Sequence, residues 1–238
     1  MRDQALIFLR EYSQTMLDRL WLPRAVSTFG PRIDFWFTLI FWITIAAWLM
    51  VVTAGMCFFL LRYRSRPGHQ ASHVEGNPRL ELLWTSATAI VLLTLAMMSR
   101  STSAGIRENG PPGDVFYKVT GNQFNWEITY PGPDGKLGTA DDFTINNEFH
   151  VPVDKVVRIE LASRDVIHSF FVPNIQLRRD VVPGRNTNLW FEATRPGMYE
   201  VPCAELCGFG HSAMKGMLYV QSQKDYDAWI KQIRLALR

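Results

Sequence analysis

The sequence predicts a membrane-anchored α plus all-β protein, in which a two-helix transmembrane hairpin is followed by a β-sandwich or barrel. Three observations carry this. From Phe35 to Leu61 there is no charged residue, and at about 1.5 Å of rise per residue that run covers about 40 Å, more than the roughly 30 Å hydrocarbon core of a bilayer. A second uncharged run, Leu82 to Met98, is shorter yet within spanning length. From Asp114 onward the chain turns to short β-rich runs separated by Gly, Pro, Asn and Asp, the spacing of a sandwich or barrel. Two buried helices of a soluble protein would not need so long and uniform an apolar run. A cleavable leader is not expected, because only Ala5 to Leu9 is apolar before Arg10 and Glu11.

In residues 1–30, Phe8, Tyr12, Met16 and Leu20 recur at fourfold spacing, which predicts an amphipathic helix at the membrane interface, with an unstructured or partner-bound arm as the alternative. Gly30 and Pro31 break the chain before the hairpin, residues 31–100, with spans at about 35–61 and 82–98. The connector from Arg62 to Arg79 carries four arginines against the single acid Glu75, which leans towards the cytoplasm for the connector and the outer face for both termini. Residues 1–34 also hold five arginines, so the charge rule alone does not fix the orientation. Glu81 sits at the inner mouth of the second span, as a polar boundary marker or the start of a proton path. Residues 101–113, rich in Ser, Gly and Pro, read as a linker.

In the domain at 114–238, strands are expected at Val115–Thr120, Phe124–Tyr130, Phe143–His150, Val156–Ala162, Val166–Val172, Thr187–Ala193 and Gly216–Gln221. The tail from Lys224 to Arg238 sets Tyr226, Trp229, Ile230 and Ile233 on one face of a closing helix. Acids and bases nearly balance beyond Gly105, which excludes nucleic-acid binding and general recognition of anions. Residues 131–142 form a turn-rich insertion whose Asp134, Asp141 and Asp142 suggest either a solvated hairpin or calcium binding, although their spacing is not that of an EF-hand.

The chemistry concentrates between Cys203 and Met214, where Cys203, Cys207, His211 and Met214 stand close together, with His168 upstream placed to join them. Cys57 lies in the first span, so Cys203 and Cys207 are the one pair outside it. A disulfide would explain the pair but not the imidazole and thioether that follow. Soft sulfur together with imidazole suits copper. A structural zinc site has no use for a methionine, and a single blue copper would leave one thiolate spare. Two coppers use every ligand, with both thiolates bridging, one imidazole on each metal, and Met214 and a main-chain carbonyl in the weak positions. Such a site has no open position, so it relays electrons and transforms no substrate. Pro202, Gly208 and Gly210 suit a rigid, tightly turned loop. His69, His73 and His150 lack such company and read as ordinary polar residues.

These residues resemble subunit II of the haem-copper cytochrome c oxidases. The motif C-x-E-x-C-G-x-x-H-x-x-M stands here as Cys203, Glu205, Cys207, Gly208, His211 and Met214, with the upstream D-V-x-H-S as Asp165, Val166, His168 and Ser169, and the likeness runs from about Ile33 onward. The resemblance implies a cupredoxin-like domain and a binuclear CuA centre in which Glu205 offers copper its main-chain carbonyl. It also implies a magnesium site near the Glu205 side chain and Asp180, at the border with the catalytic subunit I, and a proton-channel entrance at Glu81. The expected setting is a bacterial-type inner membrane with the copper domain on the outer, periplasmic side.

Two positions depart from the family pattern. Where its G-x-Q-W-x-W motif takes an electron from cytochrome c on the first Trp, this chain has Gly121-Asn122-Gln123-Phe124-Asn125-Trp126, and Val201 replaces a glycine before the first thiolate. Phe124 and Trp126 are therefore the candidate receiving rings, and the donor is expected to be a cytochrome c-type protein, free or held in a supercomplex. No C-x-x-C-H is present for a covalent haem. The rival readings are the equivalent subunit of a nitric oxide reductase and a membrane-anchored copper carrier.

Overall fold

The computed structural model describes residues 23–62, 68, 73, 75–107 and 110–236. Its chain divides into two units, one of residues 35–104 and one that joins the segment up to Asp34 with everything from Gly105 on.

The first unit consists of two helices, α1 (Gly30–Arg62, whose first turn belongs to the other unit) and α2 (Pro78–Arg107). Both are long and apolar enough to cross a membrane. Their outward side chains, Leu61, Met50 and Leu82 among them, are exposed apolar groups that water would not tolerate in such density. Asn77 caps α2, its Oδ1 accepting from the N–H groups of Arg79 at 3.0 Å and Leu80 at 3.3 Å, and Pro78 begins the helix. Trp36 Nε1 donates to Thr102 Oγ1 at 3.2 Å, joining the two helices. Contrary to the expected linker, residues 101–107 continue α2, because Ser, Thr and a lone Gly lower helix propensity without stopping a helix already under way.

The second unit is a β-sandwich with ten strands among the described residues: β1 (Val115–Asn122), β2 (Asn125–Tyr130), β3 (Phe143–Asn146), β4 (Glu148–Pro152), β5 (Val156–Ser163), β6 (His168–Val172), β7 (Leu177–Val181), β8 (Thr187–Glu192), β9 (Gly197–Pro202) and β10 (Lys215–Gln221). They form sheets in the order β3-β2-β1-β5-β8, β4-β10-β9 and β6-β7, and a bridge from Phe170 to Cys203 links β6 to the end of β9. Alternation fixes the inner face, with Tyr117 and Val119 on β1, Trp126, Ile128 and Tyr130 on β2, and Val157, Ile159 and Leu161 on β5 all buried. The closing helix α3 (Gln223–Ala236) lays Trp229 over His150, rings 3.9 Å apart, with Tyr219 stacked on the other side of the imidazole at 4.4 Å. His150 is thus a core histidine remote from the cysteine loop.

The expected strand 143–150 is two strands in different sheets. Asn147, at φ 60°, makes the step, its N–H donating to Trp126 O at 2.8 Å and its carbonyl accepting from Met217 N at 2.7 Å. Two strands escaped the sequence reading: β7, whose Arg178, Arg179 and Asp180 hide its period, and β9, begun and ended by Gly and Pro. In the 131–142 insertion the carboxylates accept from their own loop, Asp134 from Lys136 N at 2.8 Å and Asp142 from Gly138 N at 2.7 Å.

The helix expected before residue 23 lies outside the described residues. The chain after it runs instead along the end of β8. Val26 N donates to Asn174 O at 2.7 Å, Thr194 N to Val26 O at 2.8 Å and Ser27 Oγ to Ile175 O at 2.9 Å. Val26 and Phe29 enter the core, and Phe29 meets Trp190 edge to face at 5.8 Å.

Candidate metal centre

Three segments at one end of the sandwich build the site: the β1–β2 turn, the turn from Ser163 into β6, and the loop from β9 to β10. The last is closed at its base, where Cys203 N donates to Met214 O at 3.0 Å and the β9–β10 ladder pairs Pro202 with Lys215. A 3-10 turn over His211–Ala213 brings the imidazole back, with His211 N donating to Gly208 O at 3.1 Å. Ala204 N donates to Ser169 O at 3.0 Å and so fixes the loop against β6, whose first residue is His168. Gly121 leaves room for that ring, since a Cβ there would lie 2.8 Å from His168 Cδ2 and 3.2 Å from Trp126 Cζ3.

The donor atoms expected from sequence come to one place. Cys203 Sγ lies 3.9 Å from His168 Nδ1 and 3.9 Å from Cys207 Sγ, and Cys207 Sγ lies 3.7 Å from both His211 Nδ1 and Met214 Sδ. The Glu205 carbonyl oxygen stands 3.3 Å from Cys203 Sγ. Metal bonds of about 2.0 Å to nitrogen and 2.3 Å to sulfur put two ligands of one ion at separations of this order. The donors therefore fit a shared metal without rearrangement. Both thiols are free and buried, as are His168 and Met214, whereas His211 is half-buried at the outer side of the loop.

Electrostatics prepares the imidazole. Burial acts to raise the Asp165 carboxyl, but bonds from His168 and from the N–H groups of Val166 and Gln123 outweigh it and hold the group below the ordinary carboxylate range. The ionised Asp165 accepts from His168 Nε2 at 2.8 Å, which leaves Nδ1 with its lone pair directed at the sulfurs. Burial first, and the neighbouring Cys203 second, push the Cys207 thiol up to about 11.

The other candidates separate by exposure. Trp126 is 1% exposed and packs edge to face on His168 at 5.9 Å, whereas Phe124 is 37% exposed and covers the loop, where a Cβ on Gly210 would come within 2.5 Å of its ring. The Glu205 side chain turns away and accepts from Arg178 Nη2 at 3.1 Å, while Asp180 accepts from Ser169 Oγ at 2.7 Å. Glu81 stands exposed in the first turn of α2, in the other unit. Sequence reasoning missed Phe209, fully exposed at the loop tip, and Gln123, whose contacts reach both ligand loops. A large ring between Gly208 and Gly210 was the available signal for the first. For the second, the available signal was its match to the Q of the G-x-Q-W-x-W motif.

Comparison with known proteins gives the family. Residues 122–221 match the family described as cytochrome c oxidase subunit II, periplasmic domain, and residues 18–101 its transmembrane domain. Cytochrome c oxidase subunit 2 of Alkalihalophilus pseudofirmus is 33% identical over 216 residues, 87% of this chain and 61% of that protein, so the chain spans less than two thirds of this relative. The subunit 2 of Synechocystis sp. is 30% identical over 257 residues, covering 88% and 74%. Among solved structures, the periplasmic domain of subunit II of the cytochrome oxidase of Bradyrhizobium japonicum is 33% identical over 51% of this chain and 94% of its own, with a TM-score of 0.46.

The raised thiol sets how loading depends on pH. A thiol at about 11 keeps its proton throughout the neutral range, and a metal binds only the thiolate, so each thiol displaced costs one proton. Apparent affinity for a soft metal ion should climb with pH, by up to about tenfold per pH unit for each thiol displaced. Titration in weak buffer should show acid released on binding. An affinity that stays flat from mildly acidic to mildly alkaline solution would contradict the site.

Proposed function

The chain belongs to the cytochrome c oxidase subunit II family, and from that membership we propose that it holds a binuclear CuA centre and receives electrons there for a haem-copper catalytic subunit that reduces oxygen. Membership implies copper and other oxidase subunits as partners. The observation that carries the binuclear reading is the pairing of donors: His168 Nδ1 faces Cys203, His211 Nδ1 faces Cys207, and the two sulfurs lie side by side. Cys203, Cys207, His168 and His211, with Met214 and the Glu205 carbonyl, would hold the two coppers. Two coppers held in this way supply one electron acceptor shared over both ions. The frame of backbone bonds around the loop restrains the ligands between redox states, and burial excludes water from them.

The electron comes from a cytochrome c-type donor, free or held in a supercomplex, seated over Phe124 and Phe209. Trp126, sealed beneath, stiffens His168 and touches no donor. Proton translocation by the complex begins for this chain at Glu81. Magnesium at the border with the catalytic subunit would take the Glu205 carboxylate from Arg178. The apolar helices anchor the chain in a bacterial-type inner membrane, crossing it twice with the copper domain on the outer, periplasmic side. Support for that topology comes from the arginine-rich connector and from the N-terminal arm, which shares the core of the β-domain. A nitric oxide reductase or a copper carrier is not favoured by the family match.

Three measurements test this. The full chain loaded with copper should give the EPR signal of one electron shared over two ions, and Cys207→Ser should abolish it; a single-copper spectrum from the wild type would refute the binuclear centre. Phe124→Ala and Phe209→Ser should each slow reduction by the natural donor about tenfold or more with the copper spectrum intact, whereas unchanged rates would place the donor elsewhere. Glu81→Gln should slow oxygen turnover of the assembled complex without altering that spectrum, and normal proton-coupled turnover would remove Glu81 from the path. Running the same assay with nitric oxide distinguishes the two gases.

A further inference from the structure

The two halves of the ligand set arrive from different places in the chain, His168 from the β5–β6 turn and the remaining ligands from the β9–β10 loop. Besides backbone contacts at Ala204 and Phe170 and the Arg178 guanidinium, which reaches Ser169 and Glu205, one further residue touches the supports of both, through its main chain on one side and its side chain on the other. Gln123 lies in the β1–β2 turn and ligates nothing. Its main-chain N–H donates to Asp165 Oδ2 at 2.7 Å, and the other oxygen of that carboxylate accepts from His168 Nε2 at 2.8 Å. Its side-chain Nε2 donates to the carbonyl of Cys207 at 2.5 Å. The turn that carries it is itself fixed to the His168 side, with Arg164 N donating to Gly121 O at 3.1 Å and Arg164 paired to Glu127.

The loop is shaped to admit this contact. Gly208, directly after the second thiolate, has φ 136°, and a Cβ there would stand 2.6 Å from Gln123 Nε2. A side chain at this position would both strain the backbone and expel the amide. Gln123 faces away from the metal-binding atoms, so its effect on them passes through Asp165 and through the peptide of Cys207.

We propose that Gln123 is a positioning residue that locks the His168 turn to the Cys207 peptide and so sets the distance between the two imidazole-bearing halves of the site. This rests on the reading of the loop as a binuclear copper centre. The Cys207 carbonyl is held by a neutral donor in a part-buried place, so loss of that donor hands the carbonyl to water and frees the peptide to rotate. Rotation carries Cys207 Sγ with it and changes how evenly the two sulfurs serve the two ions. Supports of this kind, one layer removed from the metal, typically alter metal retention by about 10–100-fold.

The test uses the copper-loaded full chain and Gln123→Met, which keeps the length of the side chain and removes the donor. Copper release to an excess of chelator should accelerate about tenfold or more, and the copper hyperfine pattern of the mixed-valence EPR signal should change, while the metal-free variant melts within about 4 °C of the wild type. A merely structural residue would lower the melting temperature and leave the hyperfine pattern alone. If the methionine variant does not fold, Gln123→Asn, with the amide withdrawn by one methylene, is read in its place and should change both measurements in the same direction. Release and hyperfine pattern identical to wild type would overturn the proposal while leaving the copper centre standing. Absence of a mixed-valence signal from the wild type would instead overturn the centre.

Discussion

Everything at the metal end of the sandwich follows from holding two thiols, two imidazoles and a thioether together, out of water, before anything joins them. Groups brought so close resist assembly, since they gain from one another only weak sulfur contacts at 3.7–3.9 Å while Cys203, Cys207, His168 and Met214 have lost their solvent. The fold overcomes this with backbone. The bond from Cys203 N to Met214 O, the β9–β10 ladder and the anchor of Ala204 on β6 leave the loop few conformations other than the convergent one. The order imposed on the ligands is thus derived from the sheets, whose apolar inner faces repay the entropy of fixing them.

The same constraint explains why the pocket has polarity only at its margins. Asp165, half outside, directs one imidazole, and the Glu205 carboxylate turns outward to Arg178, which keeps a negative charge from lying against two sulfurs. The aromatic residues divide the remaining labour. Trp126 fills the space behind His168, and Phe124 and Phe209 form the outer surface of the loop. A phenylalanine at position 124, where the family pattern has tryptophan, therefore changes the outer surface of the loop and leaves the packing behind His168 in place.

Most of the site was legible in the sequence because its ligands are chemically rare and closely spaced: Cys203, Cys207, His211 and Met214 lie within one loop, and His168 stands out as an imidazole between apolar neighbours. The spans were legible for a similar reason, as charge is absent over lengths no soluble helix requires. What could not be read depends on contacts distant in sequence. Gln123 stands at the Q of the family motif, but what it holds is hidden until the fold sets Cys207 beside it. Asn147 gives no sign that it passes the chain between sheets, and charged side chains on the outer face of β7 conceal its alternation. The segment at 101–107 misled because its composition describes average preference, while a helix begun at Asn77 and Pro78 propagates through weak formers.

The arm that precedes α1 has a consequence for how such a protein is made. Val26 and Phe29 precede both apolar helices, yet the surface they fill is completed by Trp190 and Thr194, which follow both. Both apolar helices must be handed to the bilayer before that surface exists. The β-domain is therefore closed by a segment that waits for it across the whole membrane-insertion step, and a fragment cut after α2 would begin folding without its own edge.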